Sequence, residues 1–433
     1  MPLLIYTPTI NPRITYIFNH ILVNILGIDY NFTTNQQLFI QFSDAKLNYS
    51  SFPFGDEIYL AKHPFIDEVS IEQQSFTFTD YEKYTVPFAI EDNLFPFDIF
   101  SAAFYLLSRY EEYLPNQKDS HGRYQAENSC AFTNNFLHLP VIDNWAFTLF
   151  AKLKTRYTNL KANHRQFTFI PTIDVDSPYF LKTETYWKKN LKIIKSVLKG
   201  NFGILKHDPF DTFKYIKNIH QQYNLQPLFF FLIGNKHLYD TAPKLSSHQK
   251  IYTSLIKSVS KYAKIGIHPS YQSNENIAAL ATEIKILASA LSDKKIETSR
   301  QHYLKLTLPH TYNNLLNNGI KHDYTMGYAS HTGFRASTCT PFIWYDLQNE
   351  SITELTIHPL TVMDQTLKKY LNLSPHEAIM HTQKLIDEVI KVNGTFISLW
   401  HNETLSNFGG WNGWLIVYEK MLEYVNNINK QMK

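Results

Sequence analysis

Four short stretches of this 433-residue chain carry acids, histidines and an arginine at spacings that could do chemistry. The first is Thr172-Ile173-Asp174-Val175-Asp176-Ser177-Pro178. An apolar, β-branched run beginning at Phe167 ends abruptly in two carboxylates and a Ser-Pro break. That is the pattern of a buried strand delivering acids to its C-terminal end. Asp174 and Asp176 are two apart, so on a strand they share a face. Two buried acids on one face repel, and a divalent cation relieves them, one acid ligating it and the other serving as base. Strand-end carboxylates can also be solvated or cap the next helix, and this stretch alone does not separate the readings.

The other three stretches give the acids partners. Gly266-Ile267-His268-Pro269-Ser270 puts a histidine at a strand end before a proline break. Alone, such a histidine is a cap or a core residue. Beside Asp176 it makes a His/carboxylate site suited to Zn²⁺ or a similar divalent ion. In Thr298-Ser299-Arg300-Gln301-His302-Tyr303, Arg300 and His302 share a face if residues 296–304 form a strand. Arg300 could pair with Asp174 and keep it ionised and oriented, and His302 could complete the ligand set. A plain salt bridge with a hydrogen-bonded histidine beside it is the alternative. Finally, Phe396-Ile397-Ser398-Leu399-Trp400-His401-Asn402-Glu403 delivers a histidine after an apolar run. Unligated and near an activated water, it suits general-acid work because imidazole titrates near neutrality; otherwise it caps the strand.

The elements that would position these groups follow one rhythm. From Phe167 onward, strands predicted at 226–233, 264–268, 296–304, 323–328, 342–346, 355–359 and 395–400 alternate with helices at 211–223, 248–262, 277–292, 312–319, 374–392 and 414–425. Such repetition implies an α/β fold with a parallel sheet, doubly wound or closed into a barrel. In both, chemistry collects at the C-terminal strand ends, where Asp174, Asp176, His268, Arg300, His302, Asp323 and His401 all fall. Residues 1–160 read as a smaller α/β domain for packing or specificity. It would contain a helix at 13–27, strands at 38–42 and 57–60, and a helix at 95–114 with Arg109, Glu111 and Glu112 on a solvated face. The expected division is therefore 1–160 and 161–433.

Composition removes several function classes. Hydrophobic residues make up 44% and charged residues 18%, as in globular proteins. A net charge of +3 argues against nucleic acid as partner, and no Lys/Arg-rich tract stands out. Cys130 and Cys339 are too few for a disulfide framework or a thiolate zinc site. Neither phosphate-loop nor dinucleotide glycine patterns occur, nor a G-x-S-x-G elbow. With no run apolar enough to span a membrane and no leader pattern at the start, a cytoplasmic protein is expected. Aromatic residues reach 15%; most should fill cores, while Trp344, Trp400, Trp411 and Trp414 are candidates for stacking on a sugar.

Taken in order over about residues 167–405, these motifs resemble those of the polysaccharide deacetylase family, the NodB-homology group of metal-dependent carbohydrate esterases. The resemblance implies a distorted (β/α) barrel preceded here by the extra N-terminal domain. It makes Asp174 the base and Asp176 a metal ligand, in a Thr-Ile-Asp-Val-Asp form of the first motif. The second motif, His-x-x-x-His, is matched at His268, but Gln272 stands in its second position. A catalytic zinc site keeps three protein ligands, so His302 is expected to replace the missing one, with His310 and Glu403 as weaker substitutes. Ser299-Arg300-Gln301 resembles the motif whose arginine orients the base. His322-Asp323-Tyr324 corresponds to a lining motif, and Leu399-Trp400-His401 to the strand ending in the catalytic histidine. Gly333-Phe334-Arg335-Ala336 is similar to an element of a related deacetylase and amide-hydrolase branch. The resemblance thus implies deacetylation of an N- or O-acetylated sugar with zinc, or cobalt, nickel or manganese. The expected roles are catalysis by Asp174, Arg300 and His401, ligation by Asp176, His268 and His302, and substrate contact by Asp323, Arg335 and Trp400. Asp323 or Asp364 would hold His401 in its tautomer. Two alternatives stay open: an amide hydrolase acting on a small nitrogenous substrate, and a degenerate glycan-binding protein without activity, which the loss of the second histidine would favour.

Overall fold

The computed structural model describes residues 2–91, 93–163, 165–234, 238–240 and 245–431. They form two compact units: Met1–Thr168 with Gly333–Pro359 and Glu388–Thr395, and Phe169–Thr332 with Leu360–Asp387 and Phe396–Lys433. The single boundary expected at residue 160 differs from this division in the two later segments that belong to the first unit. Among the described residues no helix is long and apolar enough to cross a membrane.

The first unit holds a parallel sheet in the order Tyr30–Thr33, Leu3–Tyr6, Lys46–Ser50, Ile58–Ala61. Asp98 ties this sheet to a buried helix, Ile99–Leu107: it accepts from Phe100 N at 2.9 Å as the cap and from the Tyr49 hydroxyl at 2.7 Å. Residues 38–42 are not a strand. Asn35 accepts from Leu38 N at 3.0 Å and starts the short helix Gln36–Gln41, which buries only Phe39 and leaves Leu38 and Ile40 half exposed. Nor do Arg109, Glu111 and Glu112 face solvent. Arg109 bonds Glu111 at 2.6 Å and Glu112 at 2.8 Å, Arg335 bonds the other Glu112 oxygen at 2.6 Å, and the network is buried. A second guanidinium from a distant part of the chain permits that burial, since buried carboxylates persist only when paired. The predicted strands at 342–346 and 355–359 are an antiparallel hairpin, Phe342–Asp346 with Ser351–Ile357, and also belong to this unit. Their connection is too short for the crossover that parallel pairing needs.

The second unit is built on β1 (Thr168–Val175), β2 (Leu228–Ile233), β3 (Lys264–Pro269), β4 (Thr298–Ser299), β5 (His322–Asp323), β6 (Val362–Met363) and β7 (Thr395–His401). Their order is β5-β4-β3-β2-β1-β7-β6. The pairs β1–β2, β2–β3, β3–β4, β4–β5 and β6–β7 are parallel. The fold is α/β, with the helices Phe213–Gln222, Leu245–Val259, Ile277–Ala290 and His310–Asn317 in the connections between successive strands. Side chains alternating along the strands make one apolar face: Ile170 of β1, Leu228 and Phe230 of β2, Ile397 and Leu399 of β7 and Met363 of β6 pack with Leu304, Tyr324 and Leu360. The strand predicted at 296–304 ends at Ser299, and the chain turns through left-handed Tyr303 (φ 63°) and Leu304 (φ 52°). That early end, and the two-residue β5, release main-chain atoms at the top of the sheet to serve the site.

Candidate active site

β1 carries Ile170, Thr172 and Asp174 on its apolar-facing side and releases Asp176 one residue past its end. Asp174 is 1% exposed. Its Oδ1 accepts from Arg300 Nη1 at 2.8 Å. Arg300 is fully buried, donates through Nε to the Tyr324 carbonyl at 3.1 Å, and lies with its guanidinium carbon 4.4 Å from the centre of the Phe230 ring. Space for that ring comes from Gly266, its cross-strand neighbour on β3, where a Cβ would sit 2.7 Å from the ring. The expected Asp174–Arg300 pair is thus present and desolvated, although Arg300 follows the strand instead of lying within it.

Two histidines face the acids. His268, in β3, donates from Nδ1 to the Arg300 carbonyl at 2.5 Å, since that oxygen can only accept. Nε2 is 3.3 Å from Asp176 and 3.6 Å from Asp174. His302 lies between two carboxylates: its Nδ1 is 2.8 Å from Asp240 and its Nε2 is 3.2 Å from Asp176. Asp240 is itself fixed by Tyr271 N at 3.0 Å. The candidate ligand atoms of Asp176, His268 and His302 all lie within 4.8 Å of one another. Two imidazole nitrogens and a carboxylate, each ring steered by an acceptor on its far nitrogen, are the donor set and outer support of a zinc-type site. The residues therefore fit a divalent cation. Burial works against a charge on His302, but Asp176 and Asp240 outweigh it and hold the imidazole up at about 9. Burial likewise opposes ionisation of Asp176, yet His302 and His268 keep it well below the usual carboxylate range.

His401 ends β7. Its Nδ1 lies 2.9 and 3.1 Å from the two oxygens of Asp364, which also takes His401 N at 2.8 Å and the Thr404 hydroxyl at 2.5 Å. Its Nε2 is 3.7 Å from Asp176. Burial disfavours the imidazolium, but Asp364 raises it well above the ordinary histidine value. Of the two acids considered for holding His401, Asp364 is the one in contact. Next to it, the Glu403 carboxyl is pushed up to about 8 by burial and by Asp176, and its Oε2 is buried without a hydrogen-bond partner.

Other expected residues lie elsewhere. Asp323 is fully buried and spends its oxygens on the Ser299 hydroxyl at 2.8 Å and on Thr325 N and Oγ1 at 2.9 and 2.8 Å, so it braces β4 and does not line a substrate site. Arg335 belongs to the first unit, 1% exposed and bound to Glu112. Trp400 alternates with His401, so its side chain leaves on the other side of β7 and packs 5.0 Å from the Tyr418 ring at 1% exposure. Gln272 and His310 are exposed and not in the ligand cluster, and Glu403 is also outside it. Sequence reasoning missed Asp240. Its sole signal is a position shortly after β2, the one strand end that had supplied no polar residue.

Residues 3–158 match the sequence profile of a family of unknown function, DUF7033. No curated protein matches the chain by sequence. Among solved structures, it is similar to one described as a polysaccharide deacetylase from Mycobacterium smegmatis, at 15% identity and a TM-score of 0.39, covering 61% of this chain and 85% of that one. A second, described as a polysaccharide deacetylase from Pseudomonas aeruginosa PAO1, has 10% identity and a TM-score of 0.39 over 60% of this chain and 85% of that one. A third, the Bc1960 peptidoglycan N-acetylglucosamine deacetylase in complex with a naphthalenyl N-oxidanyl-benzamide, has 13% identity and a TM-score of 0.31 over 62% and 85%.

Proposed function

We propose that this protein is a metal-dependent hydrolase that removes acetyl groups from an N- or O-acetylated sugar or polysaccharide. One observation carries the reading: a carboxylate ion-paired to a buried arginine, Asp174 with Arg300, stands beside a convergent Asp176/His268/His302 donor set, with the His401–Asp364 pair adjoining it. The motif resemblance implies Asp174 as base, Arg300 as its orienting partner, Asp176 and His268 as ligands and His401 as acid, with His302 the expected replacement for the missing second histidine. Asp176, His268 and His302 would hold the cation, Zn²⁺ by donor type, with Co²⁺, Ni²⁺ or Mn²⁺ as alternatives. When bound, such a cation supplies Lewis acidity toward the acyl carbonyl and the attacking water.

The chain's own groups move the protons. Arg300 engages Oδ1 of Asp174 and leaves Oδ2 to take a proton from water as its oxygen bonds the acyl carbon. His401, charged through Asp364 and tied at Nδ1, presents Nε2–H toward the acids and protonates the departing amine or alcohol as the C–N or C–O bond breaks. Acetate and a free amine or hydroxyl are the products. We also read the parallel array as a distorted barrel. Supporting this, Leu360, before β6, donates its N–H to the Met326 carbonyl, after β5, at 2.8 Å, and the apolar cluster spans both edges.

The nearness of His302 to Asp176 and His268 supports a metal-dependent role over a purely glycan-binding one. The test is turnover of acetylated glucosamine oligomers by zinc-loaded protein. Asp174→Asn should lower kcat by roughly 10²–10⁴-fold with metal retained. Undiminished turnover in that variant would remove the mechanism.

A further inference from the structure

The connection from β1 to β2 contains a helix, Tyr186–Leu198, whose apolar stripe faces solvent. Trp187, Leu191, Ile194 and Leu198 recur at intervals of four, three and four residues, one line along a helix. They are 77%, 56%, 55% and 80% exposed. Tyr186 (72%), Phe202 (63%) and Leu205 (62%) extend the same uncovered region into the following turn. In the helix itself only Ser196 is buried. A lone exposed leucine needs no explanation, but a contiguous stripe of this kind marks a surface that something covers.

The charge on this segment states what the cover is. From Thr185 to His207 there is no aspartate or glutamate, while lysines stand at 188, 189, 192, 195, 199 and 206. Lys192 pairs with Glu184 at 2.7 Å. Lys188, Lys189, Lys195 and Lys199 are exposed and have no carboxylate partner among the described residues. A second copy seated on this face would set these ammonium groups against one another. An aromatic pair at one end, aliphatic side chains along one line and flanking lysines are the features of a helix lying in the plane of an anionic lipid surface. The helix is too short and too charged to cross one.

We propose that the Tyr186–Leu205 segment is a membrane-surface anchor that seats the protein on anionic phospholipid, with Trp187, Leu191, Ile194 and Leu198 entering the acyl boundary and Lys188, Lys189, Lys195 and Lys199 meeting the headgroups. The inference is independent of the hydrolase reading, because its test needs neither metal nor substrate.

Full-length protein is sedimented with vesicles of phosphatidylcholine alone and of phosphatidylcholine with phosphatidylglycerol in equal parts. Binding is expected to the mixed vesicles, far weaker to the neutral ones, and reduced by salt. Lys188→Gln, Lys189→Gln and Lys195→Gln together should lower the partition coefficient on the order of 100-fold. Trp187→Ser with Leu191→Ser should abolish binding. All these side chains are exposed, so unchanged circular dichroism and thermal unfolding would show that the variants fold. Failure of the wild type to bind mixed vesicles, equal binding by the variants, or a wild-type dimer by light scattering that the Leu191→Ser change dissociates would each overturn the proposal.

Discussion

Replacing Arg300 with methionine isolates the base's electrostatic support. In cation-free protein the guanidinium is the nearest fixed positive charge to Asp174, at 2.8 Å, and both side chains are almost wholly buried. Methionine fills much of the space over Phe230 but leaves a carboxylate with no counter-charge. Truncating one member of a buried ion pair costs about 3–5 kcal/mol, most of it the penalty of the stranded partner. The double variant Arg300→Met, Asp174→Asn leaves no stranded charge and should regain much of the loss, giving a coupling of roughly 2–3 kcal/mol. The assay is urea unfolding of chelator-treated wild type, both single variants and the double. A loss below about 1 kcal/mol in Arg300→Met, or costs that add within about 0.5 kcal/mol, would refute the claim that this pair is tightly coupled and desolvated.

Other outcomes follow from the same geometry. Asp240→Asn keeps the shape but weakens the acceptor steering His302, so zinc affinity by competition titration should fall about 10–100-fold, and an unchanged affinity would remove Asp240 from the site. Burial pushes Glu283, which holds Ser270 just after His268, up to about 7 from 4.5. An acid whose folded value is raised contributes its stability fully below 4.5 and loses it as pH rises through about 7, a decline on the order of 3 kcal/mol that Glu283→Gln should flatten in pH-dependent unfolding. A slope unaltered by that substitution would contradict the assignment.

Much of the site was legible because its groups sit at strand ends, and strands announce themselves as short apolar runs. Asp174, His268 and His401 each close such a run, and the structure brings them together. Arg300 and His302 were found for a partly wrong reason. A period of two suggested a strand, whereas β4 ends at Ser299, both residues lie beyond it, and the chain turns left-handed only after them, at Tyr303 and Leu304. Asp323 misled because a strand-end acid looks the same in sequence whether it serves substrate or braces Ser299 and Thr325. Glu112 was assigned to solvent because its second cation, Arg335, comes from far along the chain. Asp240 carries no motif at all. The lysines of the Tyr186–Leu198 helix and its end are spaced among apolar residues, so they form no run to notice, and only the exposure of the stripe gives them meaning.

The central claim is that Asp176, His268 and His302 hold one divalent cation, with His302 in the role that Gln272 cannot play. Metal content of purified, zinc-loaded protein after removal of free ion tests it directly, comparing wild type with His302→Ala and Gln272→Ala. The account predicts one equivalent of zinc in wild type and in Gln272→Ala, and its loss from His302→Ala. No stoichiometric metal in wild type, or full occupancy in His302→Ala, would contradict it.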